Sequence, residues 1–236
     1  MLKRDTLHNG QIQPIRSFVP REGRMTDVQR QVLAEQWPAF GLNLSAEKLD
    51  LKQTFGRVAP LTLEIGFGDG RSLLETALDN PQRDFIGIEV YRTGIAKLLL
   101  GIRKHKLNNI RIFCADAREV LINCIPDASL QLLQLFFPDP WPKKRHFKRR
   151  IVQTEFVTLV ASKLQPGGCL HMATDWENYA QHMLEVMRSQ LNWNNEAGAD
   201  NFAIRPATRP LTKFEQRGHR LGYGTWDLIF RKNCNI

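Results

Sequence analysis

The sequence predicts an α/β domain with a doubly wound, mostly parallel sheet. Short apolar runs of strand length alternate with segments of helical periodicity between residues 60 and 190. This alternation is typical of a parallel sheet that carries helices on both faces. The chain has 236 residues, of which 42% are hydrophobic, and this length suffices for one domain with a full core.

The first part of the chain leads into this alternation. Residues 1–25 are polar, with several glycines and prolines, and predict a flexible basic N-terminal arm ahead of a single domain over 26–236. Apolar and polar residues mix at helical spacing from Thr26 to Trp37, and Pro38 is expected to end that helix. The region 42–56 is a further short helical candidate.

Five strand-like runs then follow, each ahead of a helical segment. The predicted strands are 60–65, 85–90, 110–114, 130–137 and 169–174, and the predicted helices are 71–79, 92–105, 117–124, 148–164 and 176–190. A last apolar run, 225–231, predicts a strand at the far end of the sheet.

The composition argues against several classes of protein. The first residues lack an apolar stretch of signal-peptide length, and no run approaches the roughly 18 apolar residues of a membrane span. We therefore expect a cytoplasmic protein without a membrane partner. The cysteines form no C-x-x-C pair, and no histidine lies at zinc-finger spacing, so we expect reduced thiols and no metal site.

Positive charge is concentrated in three stretches. The formal net charge is +9, and residues 1–30, 143–150 and 205–220 carry +3, +6 and +4, which leaves the rest of the chain net negative. A slightly acidic body with separate basic patches indicates a polyanionic partner that docks at particular segments. Three unrelated solvated faces are the alternative.

Four acidic residues follow, or end, four successive predicted strands. Glu64, Glu89, Asp116 and Asp139 are separated by 25, 27 and 23 residues, about one strand–helix unit each. The carboxyl ends of parallel strands line one edge of a sheet, and ligands bind in the crevice at that edge. A ligand with hydroxyl groups and a positive centre would offset the cost of bringing these carboxylates together. Taken singly, Glu89 and Asp116 could equally be helix caps.

The glycine loop after the first of these strands points to the kind of ligand. Residues 64–70 follow the pattern E-x-G-x-G-x-G, in which Gly66 and Gly68 let the backbone approach a bound molecule. The pattern departs from the dinucleotide fingerprint, and its acidic members disfavour a pyrophosphate. It suits a cofactor without phosphates and with a cationic end, such as S-adenosylmethionine, whose ribose Glu89 is placed to bind.

The stretch LFFPDPWPKKRHFKRR, residues 135–150, combines three chemical features. Asp139 lies between two prolines, which restrict the backbone and fix the direction of its carboxylate. Trp141 offers a flat surface for base stacking. The six cations of 143–150 can neutralise phosphates. Together they indicate a nucleobase held at a methyl donor.

Carboxylates at this site favour guanine over adenine. A carboxylate only accepts hydrogen bonds, and guanine offers donors at N1 and N2, whereas adenine N1 is an acceptor. Asp139, Asp175 and Glu215 are the candidate acceptors. Guanine N7 needs no deprotonation before it attacks a methyl group, so the site requires positioning and negative potential rather than a general base.

These motifs resemble those of the bacterial tRNA (guanine-N7-)-methyltransferase family. The resemblance implies a class I methyltransferase fold, Rossmann-like and seven-stranded with an antiparallel strand near the C-terminus. It also implies S-adenosylmethionine as cofactor, tRNA as partner and a guanine in the variable loop, at position forty-six, as target. The matching segments are RSFVPREGRMT (16–26), LEIGFGDG (63–70), IGIEV (86–90), FFPDPWPKKRHFKRR (136–150), ATDWENYA (173–180) and TKFEQRGHRLG (212–222).

Site residues are carried over from the family position by position. Asp139 corresponds to the proposed catalytic residue. The cofactor-binding set is Glu64, Gly66, Gly68, Glu89, Asp116 and Asp139. The substrate-binding set is Lys143, Asp175, Thr212, Lys213, Phe214 and Glu215. The RNA-binding set is Arg145, His146, Phe147, Lys148, Arg149 and Arg150.

Two other functions remain as alternatives. An adenine-N6 methyltransferase carries a second proline before its aromatic residue, which Asp139-Pro140-Trp141 lacks. A non-catalytic tRNA-binding protein would not need the complete glycine loop and strand-end acids. The sequence is compatible with a monomer or a homodimer.

Overall fold

The computed structural model describes residues 16–19, 23–212, 215–216, 218, 222 and 224–234. The strands found in these residues are β1 Gly41–Leu42, β2 Leu61–Ile65, β3 Asp84–Ile88, β4 Ile110–Phe113, β5 Leu130–Phe136, β6 Leu164–Thr174, β7 Trp193–Asn195 and β8 Trp226–Lys232. The α-helices are α1 Asp27–Phe40, α2 Leu51–Phe55, α3 Arg71–Asp79, α4 Arg92–His105, α5 Ala117–Asn123, α6 Thr154–Lys163 and α7 Glu177–Arg188, and a 3₁₀ helix, η1, spans Lys144–Arg149.

The strands form one sheet in the order β1-β4-β3-β2-β5-β6-β8-β7. Strands β1 to β6 pair in parallel, and β8 runs antiparallel to both β6 and β7. The predicted doubly wound sheet with an antiparallel strand near the C-terminus is confirmed. The chain proceeds from β2 outward to β4 and then crosses back to β5, so the strand order reverses between β2 and β5. Ligands bind at such a switch point in open α/β sheets.

The described sheet has one strand more than the seven expected. The additional strand, β1, has two residues and pairs with β4 through Gly41 opposite Ile112. It includes Leu42, which the sequence assigns to a helical candidate; the helix in that region, α2, covers only Leu51–Phe55. A strand this short has too few residues to display the alternation that identifies longer strands.

The central strands are buried over their whole length and consist mostly of apolar residues. Every residue of β2 and β3 is buried, as expected for strands covered on both faces. Helix α4 packs against the sheet with a stripe formed by Ile95, Leu98, Leu99 and Ile102. Their spacing follows the helical period, and burial of each such side chain contributes about 1.5–3 kcal/mol.

The structure corrects three predicted boundaries. Helix α1 continues through Pro38 to Phe40, since a proline in the last turn removes a single hydrogen bond. The predicted helix 148–164 is divided into η1 and α6, because Ile151 and Val152 between them are buried in the core. Strand β6 begins at Leu164 rather than at residue 169, because Leu164 pairs with Leu130 of β5.

Candidate functional site

A cavity of about 550 Å³ lies at the carboxyl ends of β2, β3 and β5, beside the switch point. The glycine loop after β2, Glu89 after β3 and Asp139 after β5 line it. Ser17, Phe18 and Val19 of the N-terminal segment line it as well. The sheet edge predicted from the spacing of the acids is therefore a concave site, and it brings Glu89 and Asp139 to the same cavity.

The glycine loop presents its backbone to this cavity. Gly66 and Gly68 have φ of +73° and +60°, conformations that side chains other than glycine rarely adopt. Apart from the glycine itself and its two chain neighbours, no heavy atom of the described residues lies within 4 Å of the position that a β-carbon would occupy at either residue. The space beside the loop is open, so a ligand can lie directly against the backbone.

Glu89 holds the glycine loop against the start of α4. Its Oε2 accepts a hydrogen bond from the backbone N–H of Gly68 at 2.8 Å, and its Oε1 accepts from Val90 and Tyr91 at 2.7 and 3.1 Å. Burial raises the pKa of Glu89, these backbone donors lower it, and the charge of Asp139 raises it. A carboxylate offers about four acceptor positions, so one remains for a ligand hydroxyl.

Glu64 lies beneath the loop in β2 and is buried. Its Oε2 has no hydrogen-bond partner among the described residues. Burial, with a further contribution from the charge of Glu89, raises the pKa of Glu64 to about 8. Near neutral pH this carboxyl is largely protonated, and it can both donate and accept a hydrogen bond.

Asp139 lies in a loop with two unusual backbone conformations. Phe137 and Trp141, two residues before and after it, have φ of +52° and +44°, which cost about 1–3 kcal/mol each for residues other than glycine. The loop is held by a hydrogen bond from the N–H of Phe137 to the carbonyl of Ala173 at 2.8 Å and by one from Arg150 to the carbonyl of Pro140 at 2.9 Å. The carboxylate of Asp139 is thus carried on a rigid segment.

Comparison with known proteins agrees with this geometry. Residues 58–228 match the model of a family described as putative methyltransferase. The chain is 57% identical to the tRNA (guanine-N(7)-)-methyltransferase of Cronobacter sakazakii, covering 92% of this chain and 90% of that protein. It is 56% identical to the enzyme of the same name from Alcanivorax borkumensis, covering 93% and 92% respectively. The chain belongs to the tRNA (guanine-N(7)-)-methyltransferase family.

A solved structure supports the same fold. The 16S rRNA methyltransferase KamB superposes with a TM-score of 0.58, at 17% sequence identity, over 79% of this chain and 95% of that protein. Identity this low shows the fold alone. The class I methyltransferase fold implied by the sequence motifs is confirmed.

Asp116, the last of the predicted cofactor residues, contacts the backbone of its own helix, α5. Its side chain caps α5 by accepting a hydrogen bond from the N–H of Arg118 at 2.8 Å. Ala115 and Ala117 on either side line the cavity, whereas the side chain of Asp116 is not part of the described lining. The capping interpretation accounts for what the structure shows, and a contact with the cofactor stays a prediction.

The predicted RNA-binding stretch forms η1 and divides into an exposed and a buried part. Lys143, Arg145 and Lys148 are exposed. Loss of hydration, followed by the nearby positive charges of Arg145 and Arg149, lowers the pKa of His146. This face is a basic surface next to the Asp139 loop, and its contact with an anionic partner stays a prediction.

Arg150 corrects the predicted set, because it is buried and cannot reach a phosphate. Its side chain is 1% exposed. It donates to the carbonyl of Pro140 and, at 2.7 Å, to Asn178, and its guanidinium carbon lies 3.7 Å from the centroid of the Phe147 ring. Arg150 supports the Asp139 loop from behind, and Phe147 packs on Arg150.

Trp141 and Arg149 contact the N-terminal segment. The indole N–H of Trp141 donates to the carbonyl of Ser17 at 3.0 Å, and Arg149 donates to the carbonyl of Arg16 at 3.1 Å. The guanidinium carbon of Arg149 lies 3.7 Å from the centroid of the indole ring. One face of the predicted stacking surface is therefore covered by Arg149 in this conformation.

The predicted substrate residues are spread over different environments. Thr212 lines the cavity, whereas Lys143 and Asp175 are not part of its described lining. Lys213 and Phe214 lie outside the described residues. Glu215 is fully buried, and both of its carboxylate oxygens accept hydrogen bonds from Arg209 at 2.8 Å. This placement corrects the predicted base contact of Glu215, whose carboxylate is not presented to the cavity.

Sequence reasoning missed Arg209, Asp227 and His171, which form the buried surroundings of Glu215. A signal for two of them exists. His171 and Asp227 are single polar residues inside the apolar runs of β6 and β8, and buried polar groups require partners. The partners are distant in sequence, so the pattern indicates that a network exists without indicating its members.

Two negative observations apply to the described residues. No group of three or more metal-binding side chains is found in that part of the chain. Nor does any described helix have both the length and the apolar character needed to cross a membrane.

Proposed function

We propose that this chain transfers a methyl group from S-adenosylmethionine to N7 of a guanine in tRNA, at position forty-six of the variable loop, in the cytoplasm. The observation that carries the proposal is Asp139, held in a strained loop beside the glycine loop of a methyltransferase fold. The names of its relatives, 56–57% identical over more than nine-tenths of the chain, support the substrate class.

The residues of the cavity fit S-adenosylmethionine, which supplies an electrophilic methyl group when bound. The open backbone at Gly66 and Gly68 accommodates a close neighbour, and Glu89 retains an acceptor position for a ribose hydroxyl. Glu64 lies beneath the glycine loop and is not part of the described lining of the cavity, but its buried Oε2, without a partner among the described residues, leaves an acceptor next to that loop. Acidic residues around the site favour a cationic ligand over a phosphorylated one.

Asp139 orients the base and provides negative potential. Its carboxylate can accept hydrogen bonds from guanine N1 and N2, which fixes the ring relative to the methyl donor. Methylation at N7 leaves the ring positively charged, and a preorganised carboxylate stabilises that developing charge. Since N7 carries a free lone pair, no residue has to remove a proton before transfer.

The basic surface of η1 supplies the contact with the nucleic acid. Lys143 and Arg145 are exposed immediately after the Asp139 loop, where they can neutralise phosphates next to the target nucleotide. These contacts position the tRNA, whereas the carboxylate selects the base.

Purified protein with S-adenosylmethionine and an unmodified tRNA transcript provides the test. Nucleoside mass spectrometry should detect 7-methylguanosine, and sequencing should place it in the variable loop. N6-methyladenosine would support the adenine alternative. Bound tRNA without methylation would support the non-catalytic alternative, and methylation at another guanine would refute position forty-six alone.

A further inference from the structure

A buried ion cluster lies directly behind the loop that carries Asp139. Its centre is Arg209, of which 2% is exposed. The guanidinium carbon of Arg209 lies 5.6 Å from the ring centroid of Phe136 and 5.8 Å from that of Phe137. Phe137 is the residue with a left-handed backbone at the start of the Asp139 loop. The cluster is therefore packed against the base of that loop.

Both terminal nitrogens of Arg209 donate hydrogen bonds within the cluster, whereas Nε makes an ion-pair contact without a hydrogen bond among the described residues. Nη1 and Nη2 donate to the two carboxylate oxygens of Glu215, each at 2.8 Å. Nη2 also donates to Oδ2 of Asp227 at 2.9 Å, and Nε lies 2.8 Å from Oδ1 of Asp227. Planar two-point contacts of this kind fix orientation as well as distance.

The cluster connects the loop to three other parts of the chain. Asp227 of β8 lies 2.7 Å from Nε2 of His171 in β6, and the ring of His171 packs edge-on against Phe136 with centroids 4.9 Å apart. The backbone N–H of Glu215 donates to the hydroxyl of Thr212 at 3.2 Å. Thr212 lines the cavity, so the contacts of Arg209 extend to both sides of it.

Stability alone gives a poor reason for such a cluster. Replacement of a buried ion pair by well-packed apolar side chains is often neutral or stabilising. Arg205, Arg209, Glu215 and Asp227 balance in charge, but Arg209, Glu215 and Asp227 are almost completely desolvated, and Arg205 is partly so. What the arrangement does provide is a defined position for Thr212 relative to the Asp139 loop.

We propose that Arg209 is a positioning residue for methyl transfer, with Glu215 as its anchor. The Arg209–Glu215 pair fixes the position of the segment that contains Thr212 relative to the loop that carries Asp139, on the other side of the cavity. Glu215 thus acts through Arg209 rather than by contact with the base. This inference rests on the proposed function, because the aligned partners are the guanine and the methyl donor.

Arg209→Lys tests the role of the fork, since lysine keeps the charge and loses the two-point geometry. We expect kcat for tRNA methylation to fall about 100-fold, the effect of a misplacement of about 1 Å. KM for tRNA and Kd for S-adenosylmethionine should change less than about threefold, because Arg209 touches neither. The control is Arg188→Lys, a change in an exposed pair with Asp200, which should leave all three constants unchanged.

A double-mutant cycle with Glu215→Gln separates anchoring from base contact. If the two residues act as one unit, Arg209→Lys with Glu215→Gln lowers kcat no further than either change alone. Additive losses, with an increased KM for tRNA in Glu215→Gln, would show a direct base contact and overturn the inference. If Arg209→Lys fails to fold, Arg205→Gln replaces it as the test. Arg205 pairs with Glu215 at the partly exposed edge of the cluster, and its substitution should lower kcat less than Arg209→Lys would, again without a comparable change in KM.

Amide hydrogen exchange gives a result that does not depend on activity. In Arg209→Lys, residues 136–141 and 205–212 should both exchange faster, while the glycine loop at 66–70 stays at the wild-type rate. Unchanged exchange at 136–141 would overturn the inference even if activity fell. Absence of 7-methylguanosine with the wild-type protein would instead refute the proposed function and leave the exchange result to decide the positioning role.

Discussion

Asp139 is the residue on which the proposed chemistry depends most directly. It is presented to the cavity by two prolines and two left-handed residues, while Arg150 supports the loop from the protein side. Its carboxylate is therefore held at the cavity, and under the proposed function it need not reorganise when charge develops.

Substitution of Asp139 should separate catalysis from binding. Asp139→Ala is expected to lower kcat by at least about 100-fold, because an electrostatic contact with the transition state is lost. The Kd for tRNA should stay within about threefold of wild type, since the phosphate contacts remain. Filter binding and single-turnover methylation measure the two quantities. Asp200→Ala, in an exposed ion pair, is the control, and a comparable loss of tRNA binding in Asp139→Ala would contradict the assignment.

Glu64 should make stability depend on pH. Its pKa is raised from 4.5 to about 8 in the folded chain, so between these values the folded state holds a proton that the unfolded state has released. The free energy of unfolding therefore falls as pH rises through this window, by at most about 1.4 kcal/mol per pH unit.

Glu64→Gln removes this dependence, because glutamine does not ionise. In urea titrations the stability of wild type relative to Glu64→Gln should decrease steadily from about pH 5 to about pH 8. Glu47→Gln, a change at an exposed residue, should give a curve parallel to wild type. Parallel curves for Glu64→Gln would mean that Glu64 ionises normally.

At the scale of elements, η1 both presents exposed cations and leads the chain into the buried Arg150. Its exposed residues form the basic surface, and its last turn leads into the buried Arg150. The sequence shows six cations in this stretch but no sign of which one faces inward, because that depends on Pro140 and Asn178, to which Arg150 donates.

Neutralisation of the exposed cations should weaken tRNA binding in a salt-dependent manner. Lys143→Gln with Arg145→Gln is expected to reduce the slope of log K against log salt by about 1–2, because up to two phosphate contacts are lost. Lys104→Gln with Lys106→Gln, exposed at the end of α4 and at the opposite edge of the sheet, is the matched control. An unchanged slope in the first variant would exclude this surface as the phosphate contact.

Elements with a strong local sequence pattern could be predicted closely from the sequence. Strand β2 at Leu61–Ile65 and helix α4 at Arg92–His105 lie within one residue of their predicted bounds, since continuous apolar runs and helical periodicity are local properties. The extension of β6 to Leu164 could not be predicted. It depends on the pairing of Leu164 with β5, and Pro166 and two glycines between Leu164 and residue 169 locally resemble a turn.

At the scale of the whole molecule, the parallel sheet and its switch point between β2 and β5 explain why Glu89 and Asp139 meet at one cavity, whereas Glu64 and Asp116 are not part of its described lining. Glu89 and Asp139 were predicted at the cavity because strand-end positions follow from the topology. Glu215 was misplaced because its partner, Arg209, is set by tertiary packing around β8, and a carboxylate in a loop looks the same in sequence whether it faces a ligand or an arginine. The N-terminal residues Ser17–Val19 were not predicted at the cavity, since a polar arm carries no pattern that specifies where it packs.

The left-handed backbone of Phe137 and Trp141, on either side of Asp139, lowers stability at a site where the proposed activity needs a fixed loop. Glycine or asparagine at Phe137 or Trp141 would relieve backbone strain. Selection of variants for thermal tolerance would consequently tend to accumulate changes at these two positions. In such variants the loop would be free to relax away from the geometry on which the proposed methyl transfer depends, so a gain in heat resistance would come with a loss of turnover.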